Sequence, residues 1–173
     1  KMNSLCDPEL IAALYEASAA GVRIELIVRG ICSLQVGIPG VSENILVRSI
    51  VGSFLEHSRI YYFLNGGQEE VYLASADWMP RNLERRVEIL FPVLNADLKE
   101  KVWHVLEAQL SDTQKAQFLQ ADGNYRKVDS REKNTVNAQE LFCKEYVSLA
   151  AKKEKAEQQA RTFKPEYNQA IQN

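Results

Sequence analysis

The chain predicts an α/β fold: a mixed sheet flanked by helices, with a helical appendage at its C-terminal end. Three observations carry this. A helix start at Asp7-Pro8-Glu9 leads, after Gly21, into an alternating run from Val22 to Val28. Extended, partly aromatic runs then recur up to Val93, separated by turns rich in Gly, Pro and Asn. From Ala96 the apolar period lengthens to that of a helix.

Taken in order, Lys1-Met-Asn3-Ser-Leu reads as the inside of a strand or a strand–loop junction, so the chain is expected to be a piece of a longer protein. Asp7 is placed to cap a helix, Pro8 to open it, and Glu9 to favour its positive end. Leu10, Ile11, Leu14 and Tyr15 recur at helical spacing, and Gly21 closes the element. The order strand–helix–strand through Val28 predicts a βαβ crossover on a parallel sheet. Arg29-Gly30 then falls just past a strand's C-terminal end, the edge where open α/β sheets place ligands.

Cys32 to Asn44, with Gly37-Ile-Pro39-Gly40, predicts a loop. Ile45 to Ile50 is expected to be extended, Val51 to Glu56 a short helix, and Arg59 to Leu64 a strand. Asn65-Gly66-Gly67 predicts a hairpin-type turn into a strand from Glu70 to Ala74. Pro80 opens one helical turn, and Val87 to Val93 reads as a last strand. A helix follows through Val102, Trp103, Val105, Leu106 and Leu110. Ser111-Asp112-Thr113 predicts the cap of a further short helix. A final helix is expected from about Asn137 to Ala160, with Leu141, Phe142, Tyr146 and Leu149 as its apolar stripe. The domain reading is a core over 1–118 and a helical, polar extension over 119–173.

Bulk properties narrow the function. A length of 173 residues suits one domain that buries a core without staples. A net charge of −2 argues against a generic nucleic-acid binder, which needs a basic excess. The three cysteines, Cys6, Cys32 and Cys143, are an odd number without a Cys-x-x-Cys. That disfavours a disulfide framework or a zinc site and points to a reducing cytoplasm. No apolar run reaches the length of a membrane span.

Candidate chemistry gathers at arginines and one histidine. From Met2 to Leu98 all seven cations are arginine: Arg23, Arg29, Arg48, Arg59, Arg81, Arg85 and Arg86. Arginine presents a rigid fork suited to paired oxygens. Arg29 is favoured as functional from its place before Gly30, while Arg23 and Arg48 read as ordinary strand-face charges. His57 precedes a strand, and Arg59, two positions on, is expected on the same side of it. The turn Ser75-Ala-Asp77-Trp78-Met79-Pro80-Arg81-Asn82 has two readings: Asp77 capping with Trp78 in the core, or free backbone N–H groups receiving an anion. His104, inside an amphipathic helix, reads as structural or solvated. No P-loop, Gly-x-Ser-x-Gly elbow or His-Glu-x-x-His is present.

These segments also resemble a known family. Ile27-Val-Arg29-Gly-Ile-Cys32, Gly37-Ile-Pro-Gly-Val-Ser-Glu-Asn44, Arg48-Ser-Ile-Val-Gly52, Phe54-Leu-Glu-His57-Ser-Arg59-Ile and Ser75-Ala-Asp-Trp-Met-Pro-Arg-Asn-Leu83 stand in order. They are similar to the C-terminal, phospholipase D-like domain of bacterial polyphosphate kinases, from Lys1 to about Gly123. The resemblance implies reversible transfer of the terminal phosphate of ATP to inorganic polyphosphate. The transfer would run with Mg2+, through a phosphohistidine in a preceding domain that would also hold the metal. It implies that Arg29 and His57 contact the phosphates of ATP or ADP, with His57 catalytic; Arg59, Asp77 and Arg81 are secondary candidates from the reading of the residues themselves. It further implies a homo-oligomer in the cytoplasm, or peripheral to the membrane in a complex. In the family's His-x-Lys-x-x-x-x-Asp kinship with phospholipase D, Arg59 stands at the lysine position and Leu64 at the aspartate position. A phosphodiesterase with His57 as nucleophile, and a non-catalytic assembly module, are the alternative readings.

Overall fold

The computed structural model describes residues 1–127 and 135–160. Its elements are α1 (Pro8–Ala19), β1 (Ile24–Ile27), β2 (Ile45–Ile50), β3 (Arg59–Phe63), a 3-10 turn (Asn65–Gly67) and β4 (Glu70–Ala74). They continue with α2 (Pro80–Arg85), β5 (Leu90–Pro92), α3 (Ala96–Leu110), β6 (Ala116–Leu119), β7 (Tyr125–Lys127) and α4 (Ala138–Ala160).

The strands form two sheets. One, in the order β1-β2-β6-β7, is mixed: β1 and β2 are parallel, and the other pairs antiparallel. The second, β3-β4-β5, is antiparallel throughout. The N-terminal segment joins them. On one flank it bridges in parallel to the stretch after β1, Met2 with Val28 and Leu5 with Cys32. On the other, Ile60 donates its N–H to the Lys1 carbonyl at 3.0 Å, and Leu5 bridges Trp78. The parallel bridges across α1 are the expected βαβ crossover, with its first strand reduced to isolated bridges.

Local chemistry fixes these elements. Asp7 accepts from the Leu10 N–H at 3.0 Å and so caps α1, while Pro8 opens it. Gly21 leaves the helix at φ +88°, where a side chain would be strained. Ile11, Leu14 and Tyr15 pack against a core of Met2, Leu5, Leu26, Val28, Val47 and Tyr61. A second cluster, Ile27, Ile50, Ile60, Val71 and Leu106, is covered by Val102, Trp103, Val105 and Leu110 of α3.

Several expectations are corrected. Residues 51–56 form no helix. The Phe54 N–H and carbonyl bond the Gln139 side-chain amide at 3.0 and 2.8 Å, which removes them from any helical ladder. Asp112 does cap, accepting from the N–H groups of Lys115 and Ala116, but the chain it launches is β6, paired with β2. The third partner of Asp112, the Ala138 N–H at 2.8 Å, ties that turn to the start of α4. The strand expected over 87–93 is confined to Leu90–Pro92, and Val87 is fully exposed. Arg48 is only 4% exposed. It pairs with Glu25, donates to the Leu110 carbonyl at the end of α3, and lies 4.9 Å over the Phe118 ring. It is a core cation, placed where a helix C-terminus welcomes positive charge.

The chain divides into a compact unit, Lys1–Gln139, and a second unit from Glu140. The first sheet runs on through β6 and β7 to Lys127. Of the extension expected over 119–173, residues 128–134 and 161–173 lie outside the described residues.

Candidate phosphate-binding site

The N-terminal segment stands between the Arg29 corner and the Asp77–Arg59–His57 group, bonded to both. Arg29 follows β1 and donates its backbone N–H to the Met2 carbonyl at 3.3 Å. Gly30 donates to the Asn3 carbonyl at 2.8 Å, and a Cβ there would stand 3.0 Å from that oxygen. The small residue at Gly30 is therefore what lets the Arg29 corner close onto Asn3. The Arg29 side chain is half-buried, and its Nε is buried without a hydrogen-bond partner.

Across the segment, the backbone N–H of Asn3 donates to Asp77 Oδ1 at 2.7 Å. Asp77 holds Arg59 in a two-pronged ion pair, Nε to Oδ1 at 3.1 Å and NH2 to Oδ2 at 3.0 Å. Both side chains are largely buried, 12% and 11% exposed. Arg59 in turn reaches the exposed His57 through NH1, which lies 2.8 Å from its carbonyl oxygen and 3.1 Å from Nδ1. The same-side placement of His57 and Arg59 is thus a direct contact. Asp77 does not cap its own turn: the helix-opening position of α2 is Met79, without a side-chain cap. Burial alone would raise the Asp77 carboxyl. The Arg59 guanidinium and the backbone N–H groups of Asn3 and Ser4 outweigh it and hold the group below the usual range.

Four residues that sequence reasoning passed over complete the neighbourhood. The Lys1 side chain is 3% exposed and donates to Ser58 Oγ at 2.7 Å while pairing with Glu56 at 3.2 Å. Burial depresses its ammonium, Glu56 opposes that, and the nearby Arg29 and Arg59 charges add to the depression. Glu56 also accepts from Gln109 at 2.7 Å and Gln139 at 3.1 Å. Gln109 carried a legible signal, as a polar residue three positions after Leu106 on the buried face of α3. Gln139 carried none, because its partners lie 83 and 85 positions away.

Arg81 stands exposed in α2. Trp78 stacks on Tyr61 at 5.2 Å, as core. Leu64, 60% exposed, offers no carboxylate at the end of β3. Among the described residues no group of three or more His, Cys, Asp or Glu side chains is placed to hold a metal ion.

Comparison with known proteins decides the family. The family model described as "Polyphosphate kinase C-terminal domain 2" matches residues 1–139. The chain belongs to the polyphosphate kinase family. A polyphosphate kinase of Pseudomonas aeruginosa is 62% identical over 128 residues, 74% of this chain and 19% of the relative. Polyphosphate kinase 1 of Chlorobaculum tepidum is 60% identical over 144 residues, 83% of this chain and 20% of the relative. The crystal structure of polyphosphate kinase from Porphyromonas gingivalis superposes with a TM-score of 0.81 at 45% identity, over 89% of this chain and 23% of that one. The chain thus spans about a fifth of the length of these relatives, 19% and 20% of the two curated ones. No helix among the described residues is long and apolar enough to cross a membrane.

Proposed function

We propose that the chain is the nucleotide-side part of an enzyme that reversibly transfers the terminal phosphate of ATP to inorganic polyphosphate, by way of a phosphohistidine elsewhere in the parent protein. Family membership supports the reaction class. The observation that carries the site assignment is Arg29 itself, half-buried just past β1, with a buried Nε that has no hydrogen-bond partner among the described residues. A buried donor left without a partner costs about 1–3 kcal/mol, and a phosphate oxygen would remove that cost.

In this reading Arg29 neutralises nonbridging oxygens of the nucleotide while His57 donates a hydrogen bond to one of them. Phosphoryl transfer depends on such positioning and charge neutralisation more than on covalent help from every domain. The phosphoryl group leaves ATP for the acceptor histidine, releasing ADP, and then passes to the terminal oxygen of polyphosphate. Mg2+, the phospholipase D-like kinship, self-assembly and a cytoplasmic setting belong to the same proposal. The metal ligands are assigned to the rest of the parent protein. A phosphodiesterase reading has less support, since Leu64 takes the aspartate position and Arg59 is spent on Asp77.

The test uses the intact parent. His57→Ala and Arg29→Ala should each slow polyphosphate synthesis by about 30- to 1,000-fold, the equivalent of about 2–4 kcal/mol of transition-state stabilisation. Wild-type synthesis in both variants refutes the assignment.

A further inference from the structure

We propose that Arg59, clamped by Asp77, locks the His57 ring in its Nε2–H tautomer, so that His57 acts as a directed hydrogen-bond donor and is barred from acting as a nucleophile. The proposal rests on the reading that His57 meets nucleotide phosphates, and assigns Arg59 and Asp77 as positioning residues.

A guanidinium has five N–H groups in a fixed plane and no lone pair to accept with. Nε and one hydrogen of NH2 go to the two carboxylate oxygens of Asp77. The two hydrogens of NH1 are matched by two acceptors on one residue, the His57 carbonyl at 2.8 Å and the ring Nδ1 at 3.1 Å. Since Arg59 can only donate, Nδ1 must accept, and the proton of a neutral ring then resides on Nε2. The clamp itself is braced. Asp77 Oδ1 receives the Asn3 backbone N–H at 2.7 Å, and the Asp77 carbonyl receives Asn82 Nδ2 at 3.1 Å. The order thus runs from buried backbone through a buried carboxylate and a mostly buried guanidinium to an exposed ring.

Two consequences follow. Both ring nitrogens are committed, Nδ1 by its contact with Arg59 and Nε2 by its own hydrogen, so neither offers a lone pair to phosphorus. In the proposed site Arg29 supplies positive charge, and His57 supplies direction. Imidazoles are commonly oriented by a partner on the ring nitrogen opposite the working one; there the ring donates to that partner, whereas here Nδ1 accepts from it.

The test reads the tautomer directly. The chain, 15N-labelled at its two histidines, would be examined by long-range 1H–15N correlation NMR at alkaline pH. His57→Gln would separate the His57 signals from those of His104. The expected result is a pyrrole-like Nε2 and a pyridine-like Nδ1, favoured over the opposite tautomer by about tenfold or more, as one retained hydrogen bond allows. Arg59→Lys, whose single ammonium cannot span Asp77 and both His57 acceptors, should bring the ratio down toward that of free histidine. Asp77→Asn should do the same by freeing Arg59. A wild-type ratio no greater than that of free histidine overturns the proposal, even if neither variant folds. An unchanged ratio in a folded Arg59→Lys variant overturns it as well. If the tautomer is fixed but His57→Ala leaves synthesis intact in the parent, the functional reading fails and the lock stands. If His57→Ala abolishes synthesis while the ratio fails to respond, the lock alone is wrong.

Discussion

Replacing Gly52 with alanine is a sharp probe of how the loop bearing His57 is held. A Cβ at Gly52 would lie 2.8 Å from Gln139 Cδ and closer still to Oε1, inside the distance that real contacts reach. The amide cannot simply swing away. It is 6% exposed, accepts from the Phe54 N–H at 3.0 Å, and donates to the Phe54 carbonyl at 2.8 Å and to Glu56 at 3.1 Å. Displacing it would break three hydrogen bonds, each worth about 0.5–1.5 kcal/mol net, and add some overpacking strain. We expect Gly52→Ala to cost about 2–4 kcal/mol, or about 4–16 °C in the unfolding midpoint at 2–4 °C per kcal/mol for a chain of this size. Urea unfolding of the chain measures the energy, and hydrogen exchange at the Phe54 amide reports whether the loop itself has loosened. A variant within about 0.5 kcal/mol of wild type, with unchanged Phe54 protection, would refute the idea that Gln139 is rigidly seated.

Other substitutions test separate contacts. Arg48→Met should destabilise the fold by about 1–3 kcal/mol in urea unfolding, because it leaves the Leu110 carbonyl without its donor and removes one of the two arginines on Glu25, which keeps Arg23. A loss below about 0.5 kcal/mol would contradict that role. Asp77 titrates below its ordinary value in the fold, so its ionised form contributes stability above about pH 4 that drains away as pH falls through the folded value. Asp77→Asn should therefore be less stable at neutral pH and decline less steeply between about pH 4 and pH 2; an acid limb as steep as that of wild type would count against the Arg59 pairing.

Elements written in local sequence signals were legible. Asp7-Pro8 marked α1, Asn65-Gly66-Gly67 the β3–β4 turn, Pro80 the start of α2, and the apolar spacing from Val102 to Leu110 marked α3. The Arg29-Gly30 corner and the His57–Arg59 side were legible for the same reason, since strand ends and alternation are short-range facts. What failed depended on distant partners. The 51–56 loop reads as a helix until Gln139 claims its backbone, and Arg48 reads as a surface charge until Glu25 and the end of α3 enclose it. The Arg59–Asp77 clamp spans 18 positions, so each residue could be suspected alone without their pairing being visible.

The short N-terminal ribbon from Met2 to Leu5 is hydrogen-bonded along both edges, to the stretch after β1 on one side and to the Asp77–Trp78 turn on the other. Arg29 and the Arg59 clamp therefore share an axle. A change that breaks the pairing of this ribbon would remove a bond from the Arg29 corner and from the Arg59 clamp at once.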